Sequence, residues 1–302
     1  MGWGMVGDMR TSCIIRLAGL ALACAGQTVF AQTTPTPGKI TNPFFAMDTG
    51  TKDTNHQSIE SQVALVEKLG FAGWGPTFTD AKGVEEMFAS LDKHHLKMQA
   101  LFTSANFDAG KESVTPRLKE AIQSLKGRDT FLWISVGSKK YKPSSTEGDA
   151  GAVEALREIS RLAAESGVRV ALYPHAKNWV ERVEDGVRLV DEVGSNNLGV
   201  TFNLCHWMQV DGKDLQGSLS RAMPHLFVVT ICGADAGGHG WAQLIQPLDK
   251  GTYDVGQVLQ TLHNLGYTGP IGLQHYGIGG DAGENLKHSM EGWRKLCARA
   301  TH

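Results

Sequence analysis

From residue 43 towards the C-terminus, short apolar runs alternate with segments whose apolar side chains recur every three to four positions. The runs are Pro43–Asp48, Phe71–Gly75, Leu96–Phe102, Phe131–Val136, Val168–Tyr173, Leu198–Asn203, Leu226–Cys232 and Pro270–Gln274. Their shortness and their aromatic and β-branched content predict buried strands. Between them, stripes of helical period predict helices. Ser58–Leu69 presents Val63, Leu65, Val66 and Leu69 and is closed by Gly70. Glu147–Ser166 follows Thr146, presents Val153, Leu156, Ile159, Leu162 and Ala163, and is closed by Gly167. Asp185–Val193 ends at Gly194, and Val255–Leu265, with Val258, Leu259 and Leu262, ends at Gly266. Glu284–Ala298 carries Leu286, Met290, Trp293 and Leu296. A glycine just past the last apolar position is the expected helix stop.

Strand–helix alternation repeated eight times implies parallel strands joined by right-handed crossovers. The count predicts an α/β protein, a single (β/α)8 TIM barrel over residues 42–302. A doubly wound open sheet would carry a Gly-rich phosphate loop after its first strand. The chain instead reads TGTKDTNHQSIE after Asp48.

The N-terminal residues follow a different pattern. CIIRLAGLALACAG over residues 13–26 is apolar, Arg10 and Arg16 lie before and within it, and Val29 and Ala31 supply the small residues of a cleavage site. This predicts a secretory signal over residues 1–31, a flexible leader over 32–41 and a periplasmic or secreted protein. The 302 residues include 29 Lys+Arg, 31 Asp+Glu and 41% hydrophobic residues, a balance too apolar for disorder. Removing the signal leaves 27 basic and 30 acidic residues, so the chain lacks the basic surface of a nucleic-acid binder. No apolar run reaches the roughly 18–20 residues of a membrane span. Cys205, Cys232 and Cys297 follow the signal, an odd number with no C-x-x-C pair.

In such a barrel the active site lies on loops at the carboxyl ends of the strands. Strand five ends Tyr173-Pro174-His175, with Tyr173 and His175 on one side by alternation. Strand six ends Asn203-Leu204-Cys205-His206-Trp207, strand eight ends Gln274-His275-Tyr276, and strand one ends at Asp48. Imidazoles clustered on three strand ends, with a phenol beside them, suit acid–base work or metal ligation. Trp74, Trp179, Trp207 and Trp241 follow strand ends, and flat aromatic faces suit the C–H face of a sugar. The Lys139-Lys140-x-Lys142 run reads as a solvated loop. Gly237–Gly240, with His239, and Gly277–Gly280 read as mobile loops that open no helix directly.

At these strand ends, in EISRLAAESGVRVALYPH, NNLGVTFNLCHW and PIGLQHYGIGGD, the sequence resembles the xylose-isomerase-like barrel superfamily of sugar phosphate isomerases and epimerases, from about Asn42 to Leu296. More narrowly, it resembles exported bacterial members with altered metal-ligand positions. The resemblance implies one divalent metal near the barrel axis, held by a Glu on strand five, an Asp and a His three residues apart on strand six, a His on strand seven and a Glu on strand eight. The two Glu also move protons between substrate carbons. Here those positions carry Tyr173, Asn203 with His206, Thr230 or a neighbour, and Gln274. Every anionic ligand has become neutral, which disfavours a hard Mg²⁺ or Mn²⁺. His206, His175 and His275 are then candidate ligands for a softer Zn²⁺, Co²⁺ or Ni²⁺.

The expected activity is proton transfer on an unphosphorylated sugar or keto-sugar in an isomerase- or epimerase-like enzyme. His175 and Tyr173 are the candidate catalytic groups. Trp74, Trp179, Asn203, Trp207, Gln274 and His275 are the candidate substrate contacts. A lyase or hydratase acting on 3-keto-glycosides or their glycal products, and a non-catalytic sugar-binding barrel, are the alternatives. Cleavage of abasic DNA, known among such barrels, is disfavoured by the net charge. The expected partner is therefore a small-molecule carbohydrate, with neither nucleic acid nor a membrane span.

Overall fold

The computed structural model describes residue 1 and residues 40–210 and 212–299. The predicted secretory signal and most of the leader fall on residues 2–39, outside the described ones. The strands are β1 (Phe44–Met47), β2 (Gly73–Gly75), β3 (Lys97–Met98), β4 (Ala100–Asn106), β5 (Phe131–Gly137), β6 (Arg169–Leu172), β7 (Leu198–Asn203), β8 (Leu226–Ile231) and β9 (Ile271–Leu273). They run in the order β3-β2-β1-β9-β8-β7-β6-β5-β4, every pairing parallel, as a nearly closed TIM barrel.

All eight predicted runs are strands. The ninth arises because Leu96–Phe102 divides at Gln99 into β3, paired with β2, and β4, paired with β5. Gln99 spans the seam: its N–H donates to the Trp74 carbonyl at 2.9 Å and its carbonyl accepts the Phe131 N–H at 3.1 Å. The two ends of the sheet order are therefore consecutive in the chain, and the ring has eight strand positions.

Helices alternate with the strands: α1 (Ile59–Leu69), α2 (Ala81–Lys93), α3 (Pro116–Ser124), α4 (Asp149–Glu165), α5 (Val183–Val193), α6 (Leu204–Val210), α7 (Leu215–Ala222), α8 (Trp241–Leu244), α9 (Gly256–Asn264) and α10 (Ala282–Arg299). The five predicted helices are α1, α4, α5, α9 and α10. Gly70 and Gly194 close α1 and α5 at φ of 83° and 67°, a left-handed backbone that glycine adopts without strain. Three unpredicted helices start at side-chain caps. Asp80 accepts the Gly83 N–H at 2.7 Å, Thr115 the Leu118 N–H at 3.3 Å, and Asp214 the Gly217 N–H at 2.8 Å. Of the two glycine-rich loops, Gly237–Gly240 opens α8 directly, against expectation, while Asp281 separates Gly277–Gly280 from α10.

Strand alternation divides the apolar residues into two cores. Leu132, Ile134, Val170, Leu172, Val200 and Phe202 face the helices. Phe45, Met47, Phe131, Trp133, Ala171 and Tyr173 fill the lumen. Phe45 is fully buried, with its ring so close to the neighbouring strands that a Cβ on Gly75 or Gly272 would come within 2.8 or 2.6 Å of it. Trp133 lies 5.8 Å from Phe45 and 5.3 Å from Tyr173, centroid to centroid. Each of these rings contributes about 1.5–3 kcal/mol by its burial. The lumen is thus a packed plug with Tyr173 at its top, and polar groups begin there.

Candidate active site

A cavity of about 340 Å³ opens at the carboxyl ends of the strands. That volume is at the low end of ligand pockets and suits a monosaccharide-sized molecule. Its apolar and aromatic wall comes from Met47, Phe102, Tyr173, Trp241, Ile245 and Tyr276. Asp48, Thr49, Thr77, His175, His206 and Gln274 supply its polar groups.

The inward face of each strand selects these residues. Tyr173 follows Ala171 on the lumen side of β6, and its hydroxyl receives a hydrogen bond from Asn203 Nδ2 and another, at 3.2 Å, from Gln274 Nε2. Both amides are oriented by further partners. The Cys205 thiol donates to Asn203 Oδ1 at 3.2 Å. Gln274 Oε1 accepts from the Thr49 hydroxyl at 2.8 Å and the Tyr276 N–H at 2.9 Å. Burial outweighs the donated hydrogen bonds and raises the Tyr173 pKa, so its phenol stays protonated. Tyr173 thus accepts two hydrogen bonds at the cavity floor and keeps its own proton.

His175 and His206 face each other with ring centroids 4.0 Å apart. The peptide group of Ala176 orients both. His175 Nδ1 lies 2.9 Å from the Ala176 carbonyl oxygen, and His206 Nδ1 accepts the Ala176 N–H at 3.2 Å. A carbonyl demands N–H at His175 Nδ1, and an N–H demands a lone pair at His206 Nδ1. Neutral His175 therefore carries a basic Nε2 and neutral His206 an Nε2–H donor. Burial lowers both imidazole pKa values, that of His206 further, with the nearby His175 charge acting in the same direction. Trp241 packs edge-on to His206 at 5.1 Å.

Asp48 is the carboxylate among the cavity-lining residues. Thr77 donates its backbone N–H to Oδ2 at 2.7 Å. Burial nevertheless raises the Asp48 pKa above the ordinary carboxylate value. None of the described lining residues is Lys or Arg.

The structure brings together Tyr173, His175, His206 and Gln274 around the cavity, with Asn203 directly behind Tyr173. It does not bring His275 to them. His275 is 1% exposed and its Nε2 pairs with the Ser289 hydroxyl of α10 at 2.7 Å, facing the helix layer. Three of the four tryptophans also lie elsewhere. Trp74 bonds Thr51 at 3.3 Å in the outer core, Trp179 bonds the Ser145 carbonyl at 2.8 Å, and Trp207 bonds Ser218 at 3.2 Å beside Phe202. In each case an internal acceptor takes the indole N–H, which corrects the expectation that these rings meet a sugar. Trp241 is the tryptophan at the cavity. Thr49, Thr77, Phe102, Ile245 and Tyr276 were not singled out by the sequence. Tyr276, 60% exposed, is a rim aromatic two residues beyond Gln274, on the side that alternation assigns to the cavity.

A parallel barrel with a polar mouth on its strand ends defines the class of this protein. The chain belongs to the xylose isomerase-like TIM barrel family, matched over residues 63–296. Among solved structures it is similar to 3-keto-D-glucoside 4-epimerase YcjR from E. coli, at 16% identity and a TM-score of 0.67 over 84% of this chain and 98% of that one. It is also similar to the IOLI protein with a bound zinc atom, at 18% identity and a TM-score of 0.69 over 85% and 98% of the two chains. A third is the probable 3-DHS dehydratase AsbF from Bacillus anthracis, at 17% identity and a TM-score of 0.66 over 83% and 98%. Among curated protein sequences none matches.

The divalent metal that the family implies does not fit these residues. Among the described residues, no three His, Cys, Asp or Glu side chains stand together as a metal-holding group. Thr49 and Tyr276 occupy Gln274 Oε1, Cys205 occupies Asn203 Oδ1, and His275 is turned to Ser289. The expected triad of His206, His175 and His275 is therefore corrected to a pair of imidazoles held by the Ala176 peptide.

Proposed function

We propose that this barrel moves a proton at a carbon next to the carbonyl of an unphosphorylated keto-sugar, as an isomerase or epimerase outside the cytoplasm. The observation that carries the reading is the fixed pair of His175, with a basic Nε2, and Tyr173, held as a neutral acid, on one cavity. A C–H acidified by a carbonyl is within reach of a neutral imidazole. His175 Nε2 takes the proton, and the electron pair moves onto the carbonyl oxygen. Tyr173 O–H and His206 Nε2–H are the donors available to that oxyanion, preorganised by Asn203, Gln274 and Ala176. The absence of Lys and Arg from the described lining supports a sugar without phosphate. The secretory pattern at residues 1–31 supports the location.

A protonated phenol beside the base favours, as a second reading, loss of a hydroxyl β to the ketone, the lyase or hydratase variant. Incubation of the full chain in D2O with a 3-keto-D-glucoside, D-allulose and D-fructose separates the cases by NMR. Deuterium entry next to the ketone with the sugar intact supports the isomerase or epimerase. Elimination products select the lyase. Binding without either reaction selects a non-catalytic barrel and overturns both. His175→Ala is expected to slow the reaction by about 10²–10⁴.

A further inference from the structure

We infer that Asp48 is a second proton-transfer residue of this cavity, acting on the face of a bound keto-sugar opposite to His175, so that the site inverts a carbon. The inference rests on the proposed function and deepens it. Topology supplies the placement. In the ring of eight strand positions, β1 and β6 are four positions apart whichever way round they are counted. Asp48 directly follows β1, and His175 lies three residues beyond β6. Both line the same cavity, so a flat ring standing upright between them, its plane along the barrel axis, presents one face to each.

The chemistry of Asp48 suits the task. Thr77 anchors one carboxylate oxygen through its backbone N–H, which fixes the group without neutralising it. No Lys or Arg lies among the described lining residues to hold the carboxylate permanently charged. Burial favours the protonated form of such a group.

The step balances without an oxidant or a reductant. The C–H bond on the His175 face breaks, its proton goes to Nε2, and the electron pair resides on the carbonyl oxygen as an enolate. The pair then returns to carbon, and a new C–H bond forms on the other face with the Asp48 carboxyl proton. His175 ends as imidazolium and Asp48 as carboxylate, and water resets both between turnovers.

Asp48→Asn keeps an oxygen for the Thr77 N–H and removes the acid. The assay follows both epimers of a 3-keto-D-glucoside and of D-allulose in D2O. The expected result is that wild type interconverts the epimers with deuterium uptake. Asp48→Asn is expected to keep deuterium exchange into one epimer while conversion falls at least about 100-fold. In Asp48→Ala, added formate is expected to restore part of the conversion. Equal conversion by Asp48→Asn and wild type overturns the inference and leaves the proposed function standing. Parallel loss of exchange and conversion, without formate rescue, assigns Asp48 a structural role and also overturns it. No exchange by wild type removes the inference and the proposed function together.

Discussion

His175 and His206 are held in opposite tautomers by the single peptide of Ala176, one nitrogen 2.9 Å from its carbonyl and the other 3.2 Å from its N–H. Their Nε2 atoms therefore differ in kind, one a base and one a donor. Long-range ¹H–¹⁵N spectra at neutral pH are expected to show the Nδ1–H tautomer for His175 and the Nε2–H tautomer for His206. Identical tautomers for the two rings would remove the assigned roles.

Tyr173 accepts hydrogen bonds from two buried amides. Tyr173→Phe leaves Asn203 and Gln274 donors without an acceptor, an expected loss of about 1–3 kcal/mol in denaturant unfolding. The same substitution removes the acid at the cavity floor, and turnover is expected to fall about 100-fold. A fully stable, fully active Tyr173→Phe variant contradicts both assignments.

His275 makes its contribution to stability by staying neutral. Burial holds its pKa near about 4, against 6.5 for a free imidazole. The unfolded chain takes up the proton first, so the contribution is complete above pH 6.5 and is lost as pH falls towards 4. The loss is about 3 kcal/mol across that window. Unfolding curves of wild type and His275→Gln, measured from pH 7 to 4, are expected to converge as the pH drops. A constant difference between them would contradict a neutral, buried His275.

Trp241 stands over the cavity edge-on to His206, whereas Trp74 and Trp179 bond internal acceptors. Trp241→Ala is expected to weaken keto-sugar binding about 10-fold by removal of one aromatic face. Trp74→Phe and Trp179→Phe are expected to change melting temperature and leave affinity unchanged. Titration calorimetry against a 3-keto-D-glucoside tests the contrast.

The amide and phenol groups at the cavity floor are occupied by one another and by backbone, not arranged around a divalent ion. Chelator treatment is therefore expected to change neither melting temperature nor turnover. Loss of activity on chelation, restored by Zn²⁺ or Mn²⁺, would overturn the two-imidazole description.

The strand ends were legible because a period of two fixes which residue faces the lumen: Tyr173, Asn203 and Gln274 follow from alternation alone. Tyr173 and Gln274 continue the alternation one residue beyond β6 and β9, which also turns His275 to the opposite side, whereas His206 lies in α6, where the helical turn decides. There α6 turns the His206 ring to the cavity, while His275, next to inward-facing Gln274, meets Ser289 on the helix side. The tryptophans Trp74, Trp179 and Trp207 looked like sugar platforms because indole carries the same signal whether its N–H meets a ligand or a loop carbonyl. The split at Gln99 had no sequence mark either, since one apolar run serves two neighbouring strands. Helices α2, α3 and α7 did carry marks, in Asp80, Thr115 and Asp214 at their starts.

Phe45, Trp133 and Tyr173 stopper the cylinder from below. The chamber is one-ended, so any molecule seated in it enters and leaves past the strand-end rim, where Tyr276 is exposed. A larger molecule is thus sorted by that rim and not by the floor, so what the cavity admits can be retuned at exposed positions such as Tyr276 without disturbing the packed rings beneath.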